Sequence, residues 1–394
     1  MGLTDAQIEH LTDKYIVSLY QQMEKDVITD IARRVRKTGR FTETAELMAK
    51  DMAEQGFSTE KIYAEVMKRL RADPDYQKQI AENTKQYKKM VEDEIKSTVK
   101  AAEASGDKLV AEAGTMAWNS DLSMWQQAGQ DLGQPNQLDQ IVQAFKSQTV
   151  GELKNLTKTT GFVGTSLGTT GVKQAYQRTV DTALLKVATG TFSFDEACNE
   201  AVRDLAHSGL KTIDYASGRS YQLDTAARMS VRTSLNKLAG SITEANIKST
   251  GVEYIRTSSH AGARPDHAAW QGQVWTLEEL ETVCGYGKAT GICGVNCRHK
   301  FFPYWPGISV PVYQEQEPAP VAVGDKVYNY YDATQKQRQM ERDIRALKRE
   351  SYSAGSEEEQ KKIDRKIRAK SAEYHKFSSA VGIKAKDNRL RVVA

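Results

Sequence analysis

Apolar side chains recur at every third or fourth position through much of the first part of the chain. Over residues 8–35 they form one stripe, which predicts an amphipathic helix of about 30 residues that ends at Gly39. Residues 75–104 are helical again, although very polar, with only a thin apolar seam. A helix of that kind needs a partner to be stable. We therefore predict a helical N-terminal region over residues 1–104.

The helical pattern weakens after this region. Residues 105–135 mix Gly, Asn, Gln and Pro with two Trp, which predicts a connection containing short helical pieces. A helical pair is predicted over residues 137–158, and the Gly- and Thr-rich residues 159–171 favour a linker or flexible loop. Residues 105–171 are therefore grouped as connecting helices and linker.

The next part of the sequence alternates between helical and strand-like patterns. Helices are predicted over residues 172–188, 193–208 and 224–249, a hairpin over residues 213–223, and a strand from Val252. A segment rich in Gly and aromatic residues follows. We interpret residues 172–310 as an α+β module with a small sheet and many loops.

Residues 311–394 form the last region, with spaced Pro residues first and two charged helical stretches over residues 333–375 afterwards. Apolar positions in these stretches are sparse, so they predict either a helical hairpin lying on a partner or a solvated tail. The fold class expected for the whole chain is a predominantly helical α+β fold. It has a helical N-terminal half, a loop-rich module around a small sheet, and a basic helical tail.

Composition and charge add limits to this picture. The 394 residues allow two or three domains, and 39% hydrophobic with 27% charged residues is typical of a soluble protein. No apolar run approaches the roughly 20 residues of a membrane-spanning helix.

The net charge of +4 is unevenly distributed, because residues 325–394 hold 18 Lys and Arg against 11 Asp and Glu. Acids lie among these bases at ion-pair spacing, which favours a solvated face; the alternative is non-specific contact with DNA phosphates.

Candidate chemistry is concentrated between Ser259 and Ser309. The potential metal ligands in this block are His267, Cys293, Cys297 and His299, with His260 and Cys284 as further candidates. A tetrahedral structural zinc site needs four such nitrogen or sulfur donors. Against a zinc site, Cys297 and His299 are only two positions apart, closer than the usual ligand spacing. The alternative is a set of buried thiols and hydrogen-bonded histidines in an irregular core.

The same block contains residues suited to a rigid docking module built from loops. Pro265 fixes a backbone angle beside Arg and Asp side chains that can hydrogen-bond neighbouring loops. Several Gly supply turns, and clustered aromatic residues supply apolar surface to bury. The residues of this structural motif are Arg264, Asp266, Gly272, Trp275, Asn296 and Arg298.

This block resembles the phage minor capsid protein 2 family and, more distantly, the head morphogenesis proteins of Mu-like phages. Those proteins carry an Arg-Pro-Asp-His phrase, here residues 264–267, and an Asn-Cys-Arg-Cys phrase, here residues 296–299 with His299 in the last position. Residues 331–345 are similar to the tail of the same family. Exchange between Cys and His at residue 299 is one that a metal site tolerates.

The resemblance implies a structural minor capsid protein of a tailed phage, made in the bacterial cytoplasm and incorporated into the virion. Its partners would be the portal protein and other capsid components, and its role would lie in head assembly. The tail would be the part that contacts double-stranded DNA without sequence preference. The resemblance implies no enzymatic activity, no catalytic residues and no cofactor beyond the candidate zinc ion.

The competing hypothesis is a metal-dependent nuclease or other hydrolase centred on His267 and His299. The block superficially resembles the His-Asn-His nucleases, whose histidine activates water while a metal ion is held nearby. Asn296 and His299 are three positions apart, whereas that motif separates the corresponding residues by most of a helix. An enzyme should expose these side chains in a cleft and a scaffold should bury them, so their accessibility discriminates between the two hypotheses.

Overall fold

A long helical run opens the fold. The computed structural model describes residues 2–39, 43–133, 137–163, 168–213, 219–310 and 315–393. Helix α1 (Asp5–Thr12) continues through a π turn (Asp13–Val17) into α2 (Ser18–Gly39). A capping box begins α1, since the Thr4 hydroxyl accepts from the Gln7 N–H while the Gln7 side chain accepts from the Thr4 N–H. The predicted amphipathic helix and its end at residue 39 are confirmed.

The π turn changes which side chains of this helix are buried. Leu11, Ile16 and Tyr20 belong to the buried stripe, whereas Tyr15 and Leu19, which regular spacing predicts, are only partly buried. A π turn holds one residue more than an α turn, so the buried position moves from 15 to 16 and from 19 to 20, whereas positions 23 and 27 are buried as regular spacing predicts. Tyr15 and Leu19 pack against the core from the edge of the stripe.

One helix of 54 residues organises the first half of the molecule. The helices after α2 are α3 (Glu43–Glu54), α4 (Thr59–Ala72), α5 (Pro74–Gln127) and α6 (Leu138–Lys158). The predicted connection over residues 105–135 was wrong for residues 105–127, which continue α5. Burial of Leu109, Val110 and Trp125 against neighbouring elements outweighs the poor helix propensity of the Gly, Ser and Asn residues in this stretch. The predicted helical pair over residues 137–158 is the single helix α6.

A small antiparallel sheet lies beside the next three helices. The helices are α7 (Ala175–Val187), α8 (Phe194–Ser208) and α9 (Leu223–Thr250), and the strands are β1 (Thr160–Phe162), β2 (Thr170–Gly171), β3 (Lys211–Ile213) and β4 (Ser220–Gln222). The strand order is β2-β1-β3-β4. The prediction of a linker over residues 159–171 was wrong for β1 and β2, which pair with each other. The predicted hairpin is confirmed as the β3–β4 pair, and its turn at residues 214–218 lies outside the described residues.

The loop-rich segment contains a second sheet. Its elements are β5 (Tyr254–Thr257), α10 (Pro265–Ala268), β6 (Val274–Thr276), α11 (Leu277–Thr282) and β7 (Phe301–Tyr304). The central strand is β5, where Ile255 pairs with Trp275 on one side and with Pro303 on the other. The core under this sheet includes Trp125 of α5, whose ring meets that of Trp305 edge-on with centroids 5.3 Å apart. The far end of α5 is therefore part of this module's core.

The tail folds back onto the body of the chain. Its elements are β8 (Val321–Val323), β9 (Lys326–Tyr328), α12 (Tyr330–Glu350) and α13 (Glu357–Ala380). The two helices form a hairpin around the buried side chains Ile344, Tyr374 and Phe377. Helix α12 packs on α8, so of the two predicted alternatives the hairpin lying on a partner is correct, and the partner is the same chain.

The predicted fold class, predominantly helical α+β, is confirmed by these elements. The division into four regions at residues 104, 171 and 310 stays a prediction. Within the described residues, no helix has the length and apolar character that crossing a membrane requires.

Candidate metal centre

Two separate segments bring the candidate ligands together. His267 lies in α10, a single turn that Pro265 begins with the backbone angle a helix requires. Cys297 and His299 lie 30 and 32 residues further on, in the loop that enters β7. The pairing of β5 with β7 places that loop beside α10.

Tight turns hold the second segment in place. A Cβ atom on Gly291 would lie 1.9 Å from the carbonyl oxygen of Gly285, so only glycine fits there. Cys293 and Asn296 adopt positive φ angles of 60° and 53°, which places them in the left-handed region. The Asn236 side chain donates to the carbonyl oxygen of Cys297 and ties this loop to α9.

Three donor atoms meet in a buried space. The Nδ1 atoms of His267 and His299 lie 3.2 Å apart, and the Sγ atom of Cys297 lies 3.7 Å from each of them. The three side chains are between 1% and 2% exposed. Two imidazoles and one thiol form a donor set that suits zinc.

The outer nitrogen of each histidine has a fixed acceptor. His267 Nε2 lies 2.7 Å from the carbonyl oxygen of Thr290, and His299 Nε2 lies 2.9 Å from Oε1 of Gln271. The same Gln271 oxygen accepts from the backbone N–H of His260 at 3.1 Å, which fixes the orientation of the amide. Metal-binding histidines show this arrangement, in which a second group orients the ring.

Aromatic rings enclose the three donors. The His260 ring stacks on His299 with centroids 4.3 Å apart, and Trp270 contacts both His267 and His299. Burial lowers the pKa of His299 to about 2, assisted by the nearby His260 and His267 rings. Burial likewise lowers the pKa of His267. Both rings are therefore neutral at physiological pH, as metal ligands must be.

Cys293, the fourth predicted ligand, does not belong to this group of three. Its Sγ atom is buried 3.8 Å from the carbonyl oxygen of His299. Burial raises the pKa of this thiol far above its ordinary value. Within the described residues, the donors that lie within 4.8 Å of one another are those of His267, Cys297 and His299.

The predicted structural motif surrounds the group without entering it. Arg264 Nη2 approaches His267 Nε2 at 2.9 Å, and the exposed Asp266 carboxylate lies 3.9 Å from the same nitrogen. Gly272 makes the turn before β6 with a φ of 64°, and Trp275 donates its ring N–H to the carbonyl oxygen of Trp270 at 3.2 Å.

The other two motif residues anchor the block to the rest of the chain. The Asn296 N–H donates to the Thr233 hydroxyl at 2.9 Å, and Arg298 forms an ion pair with Asp5 at 3.4 Å. Sequence reasoning missed Asp5, as well as Gln271 and Thr290. The sequence does not show these contacts, because the partner of an amide or a carbonyl oxygen is set by the fold.

Comparison with known families identifies the chain. A family model described as phage minor capsid protein 2 matches residues 3–378. The chain belongs to this family. The resemblance inferred from the sequence is thereby confirmed, and the chain is a structural protein of a bacteriophage.

One relative of this minor capsid protein is also described as a phage structural protein. It is a structural protein of Lactococcus phage LL-H, 25% identical in an alignment of length 209 that covers 49% of this chain and 56% of that protein. No solved structure matches the chain at a significant level.

Proposed function

We propose that this minor capsid protein is incorporated into the virion of a tailed phage, where it binds the portal and neighbouring capsid proteins during head assembly. The observation that carries the proposal is the family match over residues 3–378, which includes the helical half, the loop-rich module and most of the tail. Assembly would take place in the bacterial cytoplasm before the head is filled.

The burial of the histidines favours a structural role over hydrolysis. His267 is 2% exposed and His299 is 1% exposed, whereas a nuclease needs water and a phosphate group to reach the metal ion and the base. The Asp266 carboxylate, the nearest acidic side chain to His267, is mostly in solvent. Three donors leave one position of a tetrahedral ion open, so the burial of the donors, and not their number, is what favours a structural site.

Contact with packaged DNA is part of the proposal and involves the outer face of α13. Many tail arginines face inward, where they line a cleft of about 940 Å³ between the tail and the body of the chain. Arg345 lies 3.2 Å from Asp224, and Arg389 lies 2.6 Å from Glu9, so these cations hold the tail in place. Exposed cations of the tail, including those of α13, remain for phosphate groups and would bind DNA without reading its sequence.

Mass spectrometry of purified virions and of empty procapsids tests incorporation. We expect the protein in both particles, at lower abundance than the major capsid protein, with chemical cross-links to the portal. Absence from both particles would rule out the proposal. Presence without cross-links to the portal would place the protein elsewhere in the head.

A nuclease assay on the purified protein tests the competing hypothesis. We expect no cleavage of DNA with magnesium, manganese or zinc. Cleavage that disappears in a His267→Ala variant with a normal circular dichroism spectrum would favour the hydrolase.

A further inference from the structure

We propose that Nδ1 of His267, Nδ1 of His299 and Sγ of Cys297 bind one zinc ion, which joins α10 to the loop before β7. Zinc binding at this site would not depend on the role in the head. Compared with the four ligands expected from the sequence, the site has defined donor atoms and excludes Cys293.

The distances between the donors match three edges of a zinc tetrahedron. Bond lengths of about 2.0–2.1 Å to nitrogen and about 2.3 Å to sulfur, at angles near 109°, separate two nitrogens by about 3.3 Å and a nitrogen from a sulfur by about 3.6 Å. The observed separations are 3.2 Å for the two nitrogens and 3.7 Å for each nitrogen–sulfur pair. The donors need almost no movement to bind the ion.

The hydrogen bonds on the outer side of the rings specify where the protons lie. The carbonyl oxygen of Thr290 and Oε1 of Gln271 can only accept, so Nε2 of each histidine carries the hydrogen. A neutral imidazole with its hydrogen on Nε2 has a lone pair on Nδ1. Two such lone pairs face each other at 3.2 Å, which is unfavourable until a cation lies between them.

Among the described residues, Arg264 makes a contact that acts against this assignment. Its Nη2 atom lies 2.9 Å from Nε2 of His267 and 3.5 Å from the carbonyl oxygen of Thr290. The contact of Nε2 with the Thr290 oxygen is shorter, and two facing lone pairs at 2.7 Å would repel each other. The His267 hydrogen therefore points at Thr290, and Arg264 donates to the same oxygen.

Burial raises the pKa of Cys297, so its thiol would give up the proton when the ion binds. The backbone N–H of His299 donates to its Sγ atom at 3.3 Å, and this bond strengthens as the sulfur gains negative charge. The two residues are two positions apart, so the backbone bond and the metal ion would act on the same short loop. The close spacing of Cys297 and His299 in the sequence, which argued against a metal site, thus lets one short loop supply two donors.

Metal analysis of matched variants tests the assignment. Protein made without a histidine tag in zinc-supplemented medium should contain close to one zinc per chain, and so should Cys293→Ser, which alters a buried thiol of the same loop outside the group. Cys297→Ser and His299→Ala should lose most of the metal. Loss in Cys293→Ser as well would overturn the set of three donors.

Cobalt binding keeps the test valid if a variant folds poorly. Folded wild-type protein stripped of metal and titrated with cobalt(II) should develop the absorption of tetrahedral cobalt bound to a thiolate, and Cys293→Ser should do the same. Zinc content well below one equivalent together with no cobalt spectrum, in wild-type protein with a normal circular dichroism spectrum, would exclude the site.

Discussion

Asp121 is a carboxyl group buried between α5 and α9. It is 1% exposed, and its oxygens accept from the Thr243 hydroxyl at 3.1 Å and from the Asn246 amide at 2.8 Å. Burial raises the pKa of Asp121 from 3.8 to about 6, although these two hydrogen bonds act in the opposite direction. The folded protein therefore keeps this proton at pH values where the unfolded chain has lost it.

The sign of the pH dependence follows from that difference. The stabilising contribution of protonated Asp121 is complete below pH 3.8 and is lost as pH rises through about 6. Relative to an Asp121→Asn variant, which cannot ionise, the wild type should lose about 2 kcal/mol of unfolding free energy between about pH 4 and pH 7. Urea denaturation of both proteins across this range measures the difference.

A matched control is available on the same helix. Asp107 of α5 is exposed, so Asp107→Asn should differ from wild type by a nearly constant amount over the same pH range. A constant difference for Asp121→Asn as well would contradict the raised pKa.

Residue types could be predicted better than their contacts. The block of Cys and His was recognisable from the sequence, and the structure gathers three of the four predicted ligands. The acceptors at Thr290 and Gln271 could not be predicted, because a backbone carbonyl has no signature and an amide can orient either way. The shift from Tyr15 to Ile16 could not be predicted either, since a π turn leaves the apolar spacing nearly regular.

At the scale of elements, the contact of α5 with α6 depends on glycine. Gly106 and Gly114 lie in the interior of α5, facing α6. A Cβ atom on Gly114 would lie 2.6 Å from a methyl carbon of Val142, whereas nothing lies within 4 Å of a Cβ on Gly151 of α6. Gly114 allows close approach of the two helices, whereas Gly151 only weakens its own helix.

Alanine substitution should therefore have opposite effects at these two positions. Gly151→Ala should stabilise the protein by about 1 kcal/mol through helix propensity. Gly114→Ala should destabilise it by about 1–2 kcal/mol, because the cost of overpacking against Val142 exceeds the same gain. Thermal or urea denaturation measures both changes.

A double mutant identifies the cause. Adding Val142→Ala should relieve the Gly114→Ala protein, giving a favourable coupling of at least about 1 kcal/mol between the two changes. Additive effects would mean that the close contact with Val142 is not what makes the substitution costly.

These glycines also explain why the helix predicted from the sequence ended earlier than α5 does. Gly, Ser and Asn in residues 105–127 lower helix propensity, and local patterns carry no information about a second helix that needs small residues at its contact. Elements whose signals are local were predicted well. Ser193 caps α8 in a capping box, and Gly251 ends α9 in the left-handed conformation.

At the scale of the whole molecule, the tail's cations include two distinct populations. One faces the body of the chain and pairs with acids there, as Arg389 does with Glu9. The other lies on α13, where Arg365, Lys366 and Arg368 are exposed, and no carboxylate of the described residues lies within ion-pair distance of them. Deleting the tail would disturb both populations, so point substitutions on α13 are the cleaner probe of DNA contact.

Replacing Arg365, Lys366 and Arg368 with Gln should weaken DNA binding at all sequences. Each lost phosphate contact should reduce the slope of log affinity against log salt by about 0.9. The variant should keep the wild-type unfolding transition because these side chains are on the surface. Filter binding at two salt concentrations measures the change.

The control variant loses the same number of positive charges from the same helix. Lys361, Lys362 and Lys370 already pair with glutamates of α13, so their replacement with Gln should change the salt slope less. Equal and salt-insensitive binding by all three proteins would exclude α13 as the DNA contact.

The pairing of Glu9 with Arg389 joins residues that are 380 positions apart. A ribosome adding about 5–20 residues per second makes the second of these residues roughly 20 to 80 seconds after the first. Until residue 389 has been made, Glu9 lacks Arg389, its later partner. Translation therefore sets the order of folding events: the last contacts of α1 form only when synthesis has passed residue 389, and a prematurely terminated chain leaves this surface open.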